Sequence, residues 1–185
     1  PFKDIKVEII LTRIRKNLCA KISESTKEIS YSLLQFIIAL GEQCFLNEYI
    51  YSQTEEENLS LNVIINRCIY GKINEKNISI LSCYFPLDKL IDQIPTLNTF
   101  SSSNQFFSEL IKLQILEPLK EIKLSQNLKK IGSINDDVSQ KVKSQYEENP
   151  YPRWRYSNDF GNHKISLIQG INDEIKPNYI SQSLD

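Results

Sequence analysis

Residues Thr54–Gly71, TEEENLSLNVIINRCIYG, decide the fold. Thr54 followed three residues later by Glu57 has the form of a capping box, in which each side chain bonds the other residue's backbone N–H at a helix start. Glu55, Glu56 and Glu57 fill the first turn, where the helix dipole favours negative charge. Leu61, Ile64, Ile65, Cys68 and Ile69 then recur at helical spacing as one apolar stripe. Gly71 stands where a helix ends. Start, face and stop agree on one helix that must bury one side against others.

Working outward toward the N-terminus, STKEISYSLLQFIIALGEQCFLNEYIY carries the same signature, with Ser25 and Glu28 in capping-box spacing. From Leu33 to Phe45 it is apolar almost all the way round, which places it at the centre of a bundle. Gly41 lowers helix propensity there and predicts a close helix crossing. Before it, Asp4–Ile22 repeats Ile5, Ile9, Leu11, Ile14 and Leu18 at helical spacing, with Lys6, Arg13 and Lys21 on a wetter face.

Toward the C-terminus the elements shorten. NEKNISILSCYF reads as a helix ended by Pro86, and PLDKLIDQI as another ended by Pro95. After the loop TLNTFSSSN, Ser103 or Asn104 caps QFFSELIKLQIL, and Pro118 kinks or restarts the helix before LKEIKLSQNLKK. Asp136 caps a last helix, DVSQKVKSQYEE. No strand-like alternation of useful length occurs before residue 150, and no fixed period repeats. The fold class expected is all-α: an irregular multi-helix bundle, or helical hairpins of tetratricopeptide type, followed by an extended Pro-rich C-terminal arm. The expected division is a helical domain over 1–148 and an arm over 149–185.

Composition narrows the function. The chain has 185 residues, 41% hydrophobic and 24% charged, which suits one globular domain with an arm. Twenty-two Lys plus Arg against 23 Asp plus Glu leave a net charge of -1. That charge exerts no long-range pull on phosphate, so nucleic acid is not an expected partner. Cys19, Cys44, Cys68 and Cys83 each sit in an apolar run without C-x-x-C spacing, which predicts reduced core thiols and a cytoplasmic protein. His163, the only histidine, does not complete a metal site with them. The longest apolar run, FIIAL, is far short of a membrane span, so a membrane is not an expected partner.

Two stretches carry chemistry. In EQCFLNEY, Cys44 and Glu48 are helical i, i+4 neighbours; with Asn47 they form a candidate polar pocket at the end of the central helix. No histidine lies near enough to activate Cys44 as a nucleophile. The second stretch, QYEENPYPRW, gathers two prolines, two tyrosines and the only tryptophan within Gln145–Trp154. Pro150 and Pro152 push Asn149 and Tyr151 toward extended backbone. The strip therefore has little entropy to lose on docking, and threefold polyproline geometry puts Tyr151 and Trp154 on one side. Tyr146, Asn149, Pro150, Tyr151, Pro152, Arg153 and Trp154 are the candidate docking residues, with Arg153 supplying orientation.

Both stretches resemble a known family. ALGEQCFLNEYIYSQTEEE and IGSINDDVSQKVKSQYEENPYPRW are similar to the region joining tetratricopeptide repeats to a class I S-adenosylmethionine-dependent methyltransferase domain in bacterial multidomain proteins. The resemblance covers roughly Ile29 onward and is specific in these two stretches. It implies a methyltransferase domain, in cis or as a separate protein, that binds S-adenosylmethionine. This sequence has five glycines and no strand followed by a glycine-rich turn, which a class I cofactor site requires. No cofactor, metal or catalytic residue is therefore expected in this chain. The expected role is that of a non-catalytic accessory or linker domain that packs on or positions the catalytic domain. The alternative is an independent tetratricopeptide-like module for protein–protein interaction.

Overall fold

Thr54 starts its helix as its sequence requires. Its hydroxyl accepts from the Glu57 N–H while the Glu57 carboxylate accepts from the Thr54 N–H at 2.8 Å, so both halves of the capping box are made. The computed structural model describes residues 5–71, 73–127 and 136–148, with side chains through residue 145. Among them all regular structure is helical. The elements are α1 (Ile5–Glu24), α2 (Tyr31–Leu46), α3 (Glu55–Tyr70), α4 (Glu75–Leu81), α5 (Gln105–Ile111), α6 (Glu117–Gln126) and α7 (Asp137–Glu148). Two short 3-10 turns, Leu87–Leu90 and Pro95–Asn98, link α4 to α5, and a π turn over Lys112–Leu116 joins α5 to α6. All of this lies in one unit of the chain, Pro1–Arg153. The expected boundary at 148/149 falls at the edge of the described residues, and the arm falls outside them.

Helix α1 packs chiefly on α3, and α2 on α4 and α5. A bundle of tetratricopeptide hairpins would pair consecutive helices, and that version of the fold draws no support from these pairings. One apolar core runs through the bundle, from Cys19 and Ile22 of α1 to Phe107 and Leu110 of α5. All four cysteines are buried and unbridged, as their apolar surroundings predict.

Three local readings change. Ser25 does not cap α2: the helix begins at Tyr31, and Ser30 is its cap, accepting from the Leu33 N–H. The cause is distant. The buried Lys76 ammonium donates to the carbonyls of Ser25 (3.4 Å) and Lys27 (2.6 Å), which holds residues 25–29 out of the helix. Helix α1 is also rotated from its apolar reading, so that Ile5 and Ile9 are exposed while Leu11, Arg15, Leu18, Cys19 and Ile22 face inward. PLDKLIDQI, between its two prolines, makes a single 3-10 turn with further turn residues rather than a full helix. On α3 the stripe of Leu61, Ile64, Ile65 and Cys68 faces inward, but Ile69 is exposed; two cap signals hold. Asn104 caps α5, and Asp136 accepts from the Ser139 N–H at the start of α7.

Pro118 neither stops its helix nor restarts it from a loop. It has no N–H, and its ring would crowd the carbonyl four residues earlier in an α-helix. The chain widens to a π turn just before it, where the Glu117 N–H bonds the Lys112 carbonyl, and Pro118 enters the first turn of α6.

Candidate functional site

The charged centre of the bundle is Arg15, of which 1% is exposed. Helix α1 delivers it from the stripe that faces α3, with Leu11 and Cys19 one turn to either side. Its guanidinium donates to the Ser52 carbonyl at 2.6 Å and to the Glu57 carboxylate at 3.4 Å. It lies 4.2 Å from the centre of the Tyr84 ring and 5.7 Å from that of Tyr51, both within cation–π range. Glu57, 3% exposed, has a second duty besides the capping box: it accepts from the Tyr84 hydroxyl at 2.6 Å. Burial pushes its carboxyl up, but the hydrogen bonds from Tyr84 and the Thr54 N–H, with the Arg15 charge, outweigh that and hold it below the usual range. Burial in turn pushes the Tyr84 phenol far up, so it stays a neutral donor.

Cys44 and Cys83 complete this centre. Both are fully buried, Cys44 on α2 and Cys83 just after α4. The Cys83 thiol donates to the carbonyls of Ser79 (3.4 Å) and Ile37 (3.6 Å), and its proximity, together with the Arg15 charge, draws the Cys44 thiol down. Burial and the same contact push Cys83 well up. A lowered cysteine beside a guanidinium has the electrostatics of a nucleophile. With none of its surface exposed, however, Cys44 meets no substrate. What the cluster can do is hold α1, α2, α3 and the end of α4 in register.

The candidate pocket of Cys44, Asn47 and Glu48 divides. Cys44 joins the centre just described, and Asn47 is buried at the end of α2, where both polar atoms of its amide, like the Gln43 amide nitrogen and the Tyr51 hydroxyl, are buried without a hydrogen-bond partner. Glu48 is exposed. The i, i+4 argument fails because α2 ends at Leu46 in a Schellman turn, with the Tyr49 N–H bonded to the Cys44 carbonyl and the Glu48 N–H to that of Phe45. Glu48 (φ 59°) and Tyr49 (φ 56°) are both left-handed, a conformation that glycine usually supplies. The Tyr49 hydroxyl reaches the Ser82 carbonyl and the Gln114 side chain, both at 3.3 Å.

Gln114, from the π turn, is the second polar node. It is fully buried, and its amide donates to the carbonyls of Gly41 (3.0 Å) and Ser82 (3.3 Å), tying α2, α4 and α5 together. Arg15, Tyr84 and Gln114 are not among the residues that sequence reasoning singles out. One signal for Arg15 is available there: a charged residue on a helix face whose neighbours one turn away are Leu11 and Cys19.

Tyr146 lies in α7 with its side chain outside the described residues, as are Asn149, Pro150, Tyr151, Pro152, Arg153 and Trp154. Among the described residues no group of three His, Cys, Asp or Glu side chains is assembled for a metal, and no helix is long and apolar enough to cross a membrane. Set against protein-family models, the curated proteins and the solved structures, the chain matches none of them.

Proposed function

We propose that this chain is a non-catalytic helical domain that packs on or positions an S-adenosylmethionine-dependent methyltransferase domain, in cis or as a separate protein. The observation that carries the reading is the burial of its chemistry. The titratable groups that converge, Arg15, Glu57, Tyr84, Cys44 and Cys83, are all inside the core. They serve the scaffold and leave the outer faces for contact. The resemblance of Gln145–Trp154 to methyltransferase-linked proteins supplies the partner. Four buried free thiols suit a reducing cytoplasm.

The alternative is an independent tetratricopeptide-like interaction module. It is supported by an apolar stripe on the outer face of α3, where Leu59 is 63% exposed, Val63 48% and Tyr70 87%. Reading the gene beyond Asp185 separates the two. A strand, glycine-rich turn and helix immediately downstream is expected for the accessory role. A stop codon, with no methyltransferase as neighbour or partner, overturns it. Calorimetric titration of the isolated chain with S-adenosylmethionine should give no saturable heat; micromolar binding would sink the non-catalytic reading.

A further inference from the structure

Five buried polar atoms have no hydrogen-bond partner where α2 ends against α1: Arg15 Nε, Gln43 Nε2, both amide atoms of Asn47 and the Tyr51 hydroxyl. They belong to one place. Gln43 and Asn47 are one helical turn apart, joined by the Asn47 N–H to the Gln43 carbonyl at 3.1 Å. The Arg15 guanidinium lies 5.7 Å from the centre of the Tyr51 ring and donates to the carbonyl of the next residue, Ser52, at 2.6 Å. Burial pushes the Tyr51 phenol up, and the Gln43 and Asn47 amides beside it draw it down. Among the described residues the other buried side-chain atoms without a partner are those of Asn77 and Ser79, both on α4. A buried donor or acceptor left unmade destabilises a fold, so five in one place point to a bound ligand rather than to separate defects.

We propose that this cluster is a binding site for internal water, which bridges the Gln43 and Asn47 amides, the Tyr51 hydroxyl and Arg15 Nε. The atoms themselves select the ligand. Arg15 Nε and Gln43 Nε2 only donate, whereas the Asn47 amide and the Tyr51 hydroxyl can do both, so the ligand must accept and donate. A metal cation would face N–H groups, and the Glu57 carboxylate next to them is already engaged with Thr54, Tyr84 and Arg15. An anion would add a second negative charge beside Glu57, which already balances Arg15, and a buried charge without its own partner is costly. An apolar ligand would leave all five atoms unmade. Internal water makes about three hydrogen bonds per molecule, so one or two molecules suffice. Water also has an approach: Tyr51, with Thr12, Ile50 and Ser52, lines the surface cleft of about 430 Å³ beside the first half of α1. The site holds solvent at the joint of α1 and α2, whether or not the chain serves a methyltransferase.

Nuclear magnetic resonance tests this on the isotope-labelled full chain. The side-chain amide protons of Gln43 and Asn47 should show cross-relaxation with water, of opposite sign in laboratory-frame and rotating-frame spectra, as a bound molecule gives. Asn47→Leu, which removes two of the five atoms and fills their space, should abolish the Gln43 cross-peak. Tyr51→Phe, the smaller change, should weaken the cross-peaks of both amides. Absence of these cross-peaks in the unaltered chain overturns the inference, in favour of direct bonds among Gln43, Asn47 and Tyr51. Full-strength cross-peaks in both variants overturn it in favour of water held elsewhere. Saturable shifts of the two amides on titration with chloride overturn it in favour of an anion.

Discussion

Replacing Gly41 by alanine tests the tightest crossing in the bundle. By helix propensity alone the change should help, since alanine exceeds glycine by about 1 kcal/mol inside a helix. Here a Cβ built on Gly41 would stand 2.0 Å from the Ser82 hydroxyl oxygen and 3.1 Å from its Cβ. The hydroxyl cannot leave without loss, because it donates to the Ser79 carbonyl at 2.7 Å inside the core, a bond worth about 1 kcal/mol. Separating the helices instead would strain the Gln114 amide, which holds the Gly41 and Ser82 carbonyls together. Overpacking of this kind costs about 1–3 kcal/mol. Gly41→Ala is expected to destabilise by about 1–2 kcal/mol in urea unfolding with an unchanged m-value. Ser82→Ala alone should cost about 1 kcal/mol, but combined with Gly41→Ala it removes the clashing oxygen. The pair should therefore lose less than the sum of the singles by more than about 0.5 kcal/mol, the range expected of independent sites. Stabilisation by Gly41→Ala, or strict additivity, would refute the close crossing.

Glu48→Gly should raise stability by about 0.5–1 kcal/mol, because glycine relieves a left-handed backbone while giving up some unfolded-state entropy; a lower thermal midpoint would mean that the Glu48 side chain has a partner of its own. Thr54→Ala should cost about 1 kcal/mol by chemical denaturation, and no change would place the start of α3 elsewhere. Glu57 is held below its usual pKa in the fold, so its stabilisation is complete above about pH 4.3, the unfolded value, and is lost as pH falls through the lower folded value. Stability against pH should fall in that acid window and do so less steeply in Glu57→Gln; equal slopes would remove Glu57 from the cause.

What could be read from the sequence was what is decided within a turn or two of chain. Thr54 and Glu57 cap α3 because both partners lie three residues apart, and Pro118 disturbs its helix because its own ring and missing N–H do so. Gly41 was legible as a crossing because a glycine in so apolar a helix needs a packing reason. Ser25 had an equally good local signature and lost to the Lys76 ammonium, fifty-one residues away, which no local pattern encodes. The rotation of α1 was hidden for the same reason: Arg15 is drawn inward by Ser52, Glu57 and Tyr84, each supplied by a different stretch of chain. In the candidate pocket, Cys44 kept the helical geometry assumed for it, while Asn47 already stands at the cap, where the backbone leaves the helix. Glu48 lost it because the end of α2 is set by Tyr49, whose hydroxyl is anchored on α4 and the π turn.

The Arg15 centre bears on how the chain folds as well as on what holds it. A guanidinium buried with only one of its partners would be a stranded charge, costing about 3–5 kcal/mol. Any half-assembled state that docks α1 on α3 before Tyr84 arrives, or before Ser52 closes over the top, carries part of that penalty. Partly formed bundles are thus disfavoured relative to both the open chain and the complete one. The bundle should pass from open to complete in one concerted step, and its refolding kinetics should show a single exponential with no missing early amplitude. Exchanging Arg15 for a leucine would weaken that all-or-none character, since a neutral side chain tolerates incomplete company that a cation does not.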